Sequence, residues 1–272
     1  MPDYQSAPWW RAFFESADSL LLSNFPDEAE TVEELEALQA LIPLRTGQRI
    51  VDVCCGMGRH LLPLTALGYD VVGLDSSAMM LSLARAGARQ TGLPVRLVHG
   101  VAQALPFATA SCEVMLNLFN SFGYLATVTD DLAVLRETAR CLKPGGRFFL
   151  DTRNKKYQIL YAPYSQTVHL PDGRALNLRC QYDRERSVLL SQWYEAPGER
   201  LVHHAAIRLY APEELAGMLK RWPGPQAFQS LSPARRYSQP PATHSMTSAA
   251  PVLKVRVAGR IIRPDPSARV PA

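Results

Sequence analysis

Two glycines and two carboxylates, set at the ends of two short apolar runs, form the first pattern able to do chemistry in this 272-residue chain. The first run closes as Asp52-Val-Cys54-Cys55-Gly56-Met57-Gly58, and the second closes on Asp75-Ser76. Glycine permits close backbone approach and unusual dihedrals. The helix start that follows offers unpaired N–H groups to an anion. Asp75 stands 19 residues past Gly56, where a strand-end carboxylate accepts the two hydroxyl hydrogens of a ribose. A glycine turn followed by such an acid reads as a site for a cofactor containing a nucleoside.

The dinucleotide fingerprint needs a third glycine at position 61, which here is Leu61. That counts against a nicotinamide-dependent oxidoreductase, which stays as an alternative. Asp52 would repel a pyrophosphate and suits a ligand with a cationic part. S-adenosylmethionine has that form, with an ammonium, a sulfonium and a carboxylate on one arm and a ribose on the other.

The elements that must position these residues alternate over about residues 48–151. RIVDV, DVVGL, PVRLVH, CEVMLNLF and RFFLD read as strands. Helices are expected from RHLLPLTAL, from Ser76 as N-cap to Gly92, and from Thr129-Asp130-Asp131 to Leu142, with KPGG as a turn. The strands are continuously apolar, which predicts a parallel sheet covered on both faces, an α/β doubly wound domain. Before it, Trp9, Trp10, Phe13 and Phe14 share one helical arc, as core packing or as a lid. Thr31 and Glu34 form a capping-box pattern ahead of Leu35, Leu38, Leu41 and Ile42. After it, residues 165–210 read as a small antiparallel meander with a turn at Pro171-Asp172-Gly173, and a short helix opens near Pro212. The expected division is a helical segment or lid over 1–45, a Rossmann-like cofactor domain over 46–160, a substrate-side meander and helix over 161–221, and a tail over 222–272.

VDVCCGMGRH, VVGLDSS, GVAQALPF, VMLNLFNSFGYL and LKPGGRFFLDTRN, in this order, resemble class I S-adenosylmethionine-dependent methyltransferases, and among them the bacterial branch with an NLFTSFGYF-like fourth strand. The resemblance covers about residues 8–220. It implies a seven-stranded, mostly parallel Rossmann-like sheet whose last strand is antiparallel. It also implies that Asp52, Cys54, Gly56 and Gly58 shape the methionine pocket, that Asp75 and Ser76 hold the ribose, that Val101, Ala102 and Gln103 flank adenine, and that Asn117 and Leu118 lie under the methionyl part.

Three departures stand out. Cys54 replaces the family's glycine, which implies a tighter loop. Val101 replaces an aspartate that accepts the adenine amino group, a loss worth roughly 1–2 kcal/mol. The tail is the third. Nine of the 21 prolines fall in residues 223–272, and residues 221–272 carry eight Lys or Arg against Asp265 alone, a charge of +7 against +4 for the whole chain. Lost periodicity with Pro, Arg, Ser and Ala enrichment is what an out-of-frame reading of a GC-rich gene yields. The expectation is therefore a poorly ordered tail and a sheet without its closing hairpin, with VLKVRVAGRII as a partial substitute.

Methyl transfer needs mostly proximity and orientation. Tyr124, Asn154 and His60 are the candidate catalytic groups, with Asp151, Arg153 and Tyr157 also near strand ends. The main domain is mildly acidic and lacks a basic stripe, so the expected partner is a small-molecule methyl acceptor and not nucleic acid. A degenerate family member that binds cofactor weakly without turnover is the other reading. No run of about 18 apolar residues is present to span a membrane. Five scattered cysteines without a CxxC imply a reducing cytoplasm. His203 and His204 face opposite sides of a strand, and no metal is expected. Cys54 and Cys55 are expected to be buried and structural.

Overall fold

The computed structural model describes residues 8–22, 28–170, 172–220, 226–231 and 252–259. In chain order the elements are α1 (Trp9–Phe14), α2 (Asp18–Leu22), α3 (Glu28–Leu41), β1 (Arg49–Val53), α4 (Leu61–Ala66), β2 (Asp70–Asp75), α5 (Ala78–Thr91), β3 (Arg96–His99), β4 (Cys112–Asn117), α6 (Val128–Cys141), β5 (Leu142–Arg153), α7 (Lys155–Tyr161), β6 (Tyr164–His169), β7 (Ala175–Asp183), β8 (Val188–Glu195), β9 (Leu201–Arg208), α8 (Pro212–Lys220), β10 (Gln226–Leu231) and β11 (Val252–Gly259).

Seven strands form one sheet in the order β10-β11-β5-β4-β1-β2-β3. The five strands from β3 to β5 run parallel, and β11 is antiparallel to both of its neighbours. The chain builds outwards from β1 to β3, then returns to the other side of β1 with β4. Such a reversal opens a crevice beyond the carboxyl ends of the strands. The continuous apolar runs are explained by burial on both faces. Ile50, Val114 and Phe149 pack with Leu38, Ile42 and Leu61 on one side. Val51, Met115 and Phe148 pack with Leu135, Leu215 and Leu219 on the other.

The closing hairpin is present, against the expectation from the tail. Stretches 226–231 and 252–259 pair with each other, and Val252 to Ala258 lie opposite Arg153 to Arg147. VLKVRVAG alternates as a strand should, and β5 therefore keeps its neighbour. The remaining tail residues lie outside those described.

The meander is a separate four-stranded antiparallel sheet, β6-β7-β8-β9. Its period-two face presents Leu176, Leu178, Leu189, Trp193, Ala205 and Ile207 to Trp9 and Phe13 of α1. Trp9 and Phe13 of the N-terminal arc are thus core, with Trp10 and Phe14 partly buried against the same cluster.

Local signals moved in four places. α3 begins at Glu28, so Thr31 sits inside it and accepts a hydrogen bond from Arg59 instead of capping. Ser77, not Ser76, caps α5 by accepting the Met80 N–H, and Gly92 ends that helix in the left-handed conformation. α6 opens on a capping box of Thr127 and Asp130. Its neighbour Asp131 does not serve the helix end: it is buried and bound to Arg208 and Tyr210. KPGG does not interrupt β5, because the pairing register shifts between Cys112 and Val114 and the strand runs on through it.

Candidate active site

One cavity of about 210 Å³ extends from the carboxyl edge of the large sheet to the apolar face of the meander. β1 and β2 set its first wall. After Val53 the backbone turns through Cys54 at φ +62°, a left-handed conformation that costs a residue with a Cβ energy. The turn delivers the Gly56 N–H to Asp75, whose Oδ2 accepts it at 2.8 Å. Asp75 Oδ1 accepts the Ser77 N–H at 2.9 Å. The Ser76 N–H also bonds this carboxylate, and Asp75 and Ser76 both line the cavity.

Asp52 lies deeper, only 2% exposed. Burial, with the charge of Asp75 nearby, pushes its carboxyl up to about 7. Its Oδ2 has no hydrogen-bond partner among the described residues, although Asp52 borders the cavity. A buried carboxylate oxygen without a donor is costly, and a cationic ligand at this wall removes the cost. Asp52 and Asp75 therefore fit a ligand that carries a positive group and paired hydroxyls.

Gly100 donates to the Asp75 carbonyl at 3.0 Å, and the turn after it carries Val101, Ala102 and Gln103 into the lining. Leu118 and Cys54 also face the cavity. Burial pushes the thiols of Cys54 and Cys55 up, so both stay protonated and inert as nucleophiles.

Two expected cofactor residues do other work. Gly58 does not line the cavity: a Cβ there would sit 3.2 Å from Leu62 and 3.3 Å from Ala84, so its role is to let α4 and α5 approach. Asn117 also stands behind the wall, where its Nδ2 donates to the Val53 carbonyl and ties β4 to β1. Among the catalytic candidates, Tyr124 and His60 reach the cavity and Asn154 does not. Asn154 caps α7, its Oδ1 accepting the Tyr157 N–H. His60 bonds Glu34 at 2.9 Å, and Glu34 also holds Arg59. Burial raises the Tyr124 phenol to about 12, which keeps it neutral.

The loop 118–125 forms the floor. Phe119 and Asn120 have φ of +54° and +62°, and Asp151 of β5 accepts both of their N–H groups, one by carboxylate and one by carbonyl. Asp151 thus positions the loop from outside the lining. Arg59 lies over the Phe119 ring at 4.5 Å. Asn120, Arg59, Tyr164 and Ser191 line the cavity and were not singled out from sequence. Asn120, inside the quoted NLFNSFGYL, had a signal; Tyr164 and Ser191 depend on how the meander docks.

The opposite end is walled by Trp9, Phe13, Leu178, Trp193 and Ile207. α1 is pinned there by Trp9 Nε1, which donates to the Ala206 carbonyl at 3.0 Å. At its other end, Ser77 Oγ donates to the Phe14 carbonyl, and Glu15 accepts the Ala78 N–H. Among the described residues no group of His, Cys, Asp or Glu could hold a metal ion, and no helix is long and apolar enough to cross a membrane.

Topology and site together define the class I methyltransferase fold. Residues 50–146 match the family model for a methyltransferase domain. A ubiquinone biosynthesis O-methyltransferase of Ruegeria pomeroyi is 38% identical over 109 residues, 40% of this chain and 42% of that protein. A demethylmenaquinone methyltransferase of Lactococcus lactis is 39% identical over 107 residues, 38% and 40% of the two chains. The chain thus matches less than half the length of these curated relatives. Among solved structures, the CcbJ methyltransferase of Streptomyces caelestis aligns with a TM-score of 0.68 at 21% identity, covering 93% of this chain and 99% of that one. An S-adenosylmethionine-dependent methyltransferase of Clostridium acetobutylicum aligns with a TM-score of 0.64 at 16% identity, covering 86% and 93%. At these identities the structural likeness is one of fold.

Proposed function

We propose that this protein transfers a methyl group from S-adenosylmethionine to a small-molecule acceptor. The observation that carries the reading is the pair of buried carboxylates on one cavity wall, Asp75 held beside the Gly56 turn and Asp52 with an unpartnered oxygen. The match of residues 50–146 to the methyltransferase domain model supports it.

In this reading Asp75 accepts the ribose hydroxyls, Asp52 faces the ammonium, and the backbone around Ala102 borders adenine. The cofactor supplies an electrophilic methyl carbon on a positively charged sulfur. The chain's own part is to hold two reactants in line and keep water out, an advantage that can reach about 10⁵ M or more in effective concentration. The displacement itself asks no proton of Tyr124 or His60 when the acceptor atom is already unprotonated. Tyr124 shapes the wall, and His60 is engaged by Glu34. The unpaired cysteines fit a reducing cytoplasm as the place of work.

Titration calorimetry with S-adenosylmethionine and with S-adenosylhomocysteine tests the reading. Saturable one-to-one binding of both, with no heat from NAD, is expected. Binding of NAD in their place overturns it. Val101 favours a second reading, a weak binder without turnover, because it offers the adenine amino group no carboxylate. Under that reading methyl transfer from labelled cofactor is absent even when binding is saturated.

A further inference from the structure

The cavity wall carries a charge that the proposed cofactor pose leaves unused and that, unlike those of Arg59 and Asp131, has no salt-bridge partner among the described residues. Arg153 ends β5 and lines the cavity, and its buried Nε has no hydrogen-bond partner among the described residues. No carboxylate among those residues forms an ion pair with it. Its charge is felt by the Tyr124 and Tyr164 phenols, both held neutral by burial, so neither offsets it.

The meander end of the same cavity combines the Tyr124, Tyr164 and Ser191 hydroxyls with flat, apolar walls. Phe13 stacks on Trp193 with centroids 5.9 Å apart, and Phe14 lies nearly parallel to Tyr124 at 6.1 Å. Leu178, Ala205 and Ile207 complete the wall. A ligand that fills this space displaces the water that solvates the guanidinium. A neutral ligand would leave the cation buried and unpaired, and an ammonium would add repulsion. An oxyanion instead takes up Nε and its neighbouring nitrogens in charge-assisted bonds.

We infer that Arg153 receives a negatively charged oxygen, as carboxylate, enolate or phenolate, on a planar and otherwise apolar acceptor. The inference rests on the methyl-transfer reading and names the substrate class for it. Arg153 is in this sense a specificity-determining residue of the acceptor end.

The test uses the full chain and three probes of one shape: 2-naphthoate, 2-naphthamide and 2-naphthylmethylammonium. Each is titrated by calorimetry with and without S-adenosylhomocysteine. Naphthoate is expected to bind about tenfold or more tighter than the amide, with the ammonium weakest. Arg153→Gln should erase the naphthoate advantage while leaving the amide and S-adenosylhomocysteine affinities within about threefold of wild type. Arg153→Lys should keep part of the advantage, since charge survives and the planar fork does not. Equal binding of naphthoate and amide by the wild type overturns the inference, as does failure of all three to bind or an advantage that survives in Arg153→Gln. The wild-type series decides the matter even if a variant does not fold. Naphthoate preference without S-adenosylhomocysteine binding would instead overturn the methyl-transfer reading and leave the oxyanion pocket standing.

Discussion

Asp52→Asn should make the cofactor-free protein more stable and the cofactor-binding protein worse. Burial carries this carboxyl from 3.8 to about 7. Between those two values the folded chain holds a proton that the unfolded chain has released, so stability falls as pH rises through that window. Above pH 7 the full deficit of about 4 kcal/mol applies. The amide keeps the shape and does not titrate, but its N–H groups need partners, at a cost of about 1–2 kcal/mol. The cleanest readout is therefore how the gap between variant and wild type changes with pH. It should widen by about 2 kcal/mol from pH 5.5 to pH 8, roughly 4 to 8 °C in Tm by differential scanning fluorimetry. Cofactor binding should show the opposite face of the same group. The wild type must release a proton from Asp52 to face an ammonium, so its affinity for S-adenosylmethionine should fall about tenfold per pH unit from pH 7 towards pH 5.5. The variant should bind weakly with no such slope. A Tm gap that is flat with pH, or equal pH slopes of affinity in both proteins, refutes the assignment of the buried charge to Asp52 and of its partner to the cofactor.

If Asp75 holds the ribose as proposed, Asp75→Ala should raise the Kd for S-adenosylhomocysteine about tenfold or more, from at least one charge-assisted bond of about 1.5 kcal/mol; calorimetry showing less than about a threefold change rejects the ribose role. Arg208→Met strands the buried Asp131, to which Arg208 Nη1 donates at 2.8 Å, and should cost about 3–5 kcal/mol in urea unfolding, partly recovered by adding Asp131→Leu. A loss below about 1 kcal/mol would show that Tyr210 alone satisfies Asp131. Gly123→Ala should cost more than about 3 kcal/mol by the same assay, because φ is +91° and an added Cβ would overlap the Arg208 carbonyl oxygen, the site where the 118–125 loop meets β9.

Sequence reading succeeded where local pattern and physical role coincide. The buried strands of the large sheet announce themselves as apolar runs. Their carboxyl ends carry Asp52, Gly56, Asp75 and Ser76 into one wall because strand order, not side-chain detail, sets that edge. It failed where a residue serves a distant partner. Thr31 and Glu34 have the spacing of a helix cap, but the guanidinium of Arg59 recruits both from another element. Asp131 has the position of a helix-dipole acid, but an arginine 77 residues away buries it. Gly58 and Asn117 sit in the motifs yet face packing and backbone, since a motif marks a place in the chain and not the direction of a side chain. In the tail, composition outweighed the alternation of VLKVRVAG, and a two-residue period is enough to make a strand when β5 offers an open edge.

α1 belongs at once to the core and to the site, and that double duty links the two ends of the cavity. Its residues are buried against the meander, yet its last turn is tied to the start of α5 by Ser77 and Ala78, the two residues that follow Asp75 and Ser76. Ser77 itself donates its backbone N–H to Asp75. A ligand that grips Asp75 therefore acts on the same turn that pins Phe14 and Glu15, and Phe14 faces Tyr124 across the acceptor end. The contacts run in one unbroken chain: Asp75, Ser77, Phe14, Tyr124. Order imposed at Asp75 lowers the entropy left to lose when a planar acceptor settles among those rings, so cofactor and acceptor should each tighten the binding of the other. The naphthoate titration run with and without S-adenosylhomocysteine measures that coupling directly, and equal naphthoate affinities in the two series would sever the link argued here.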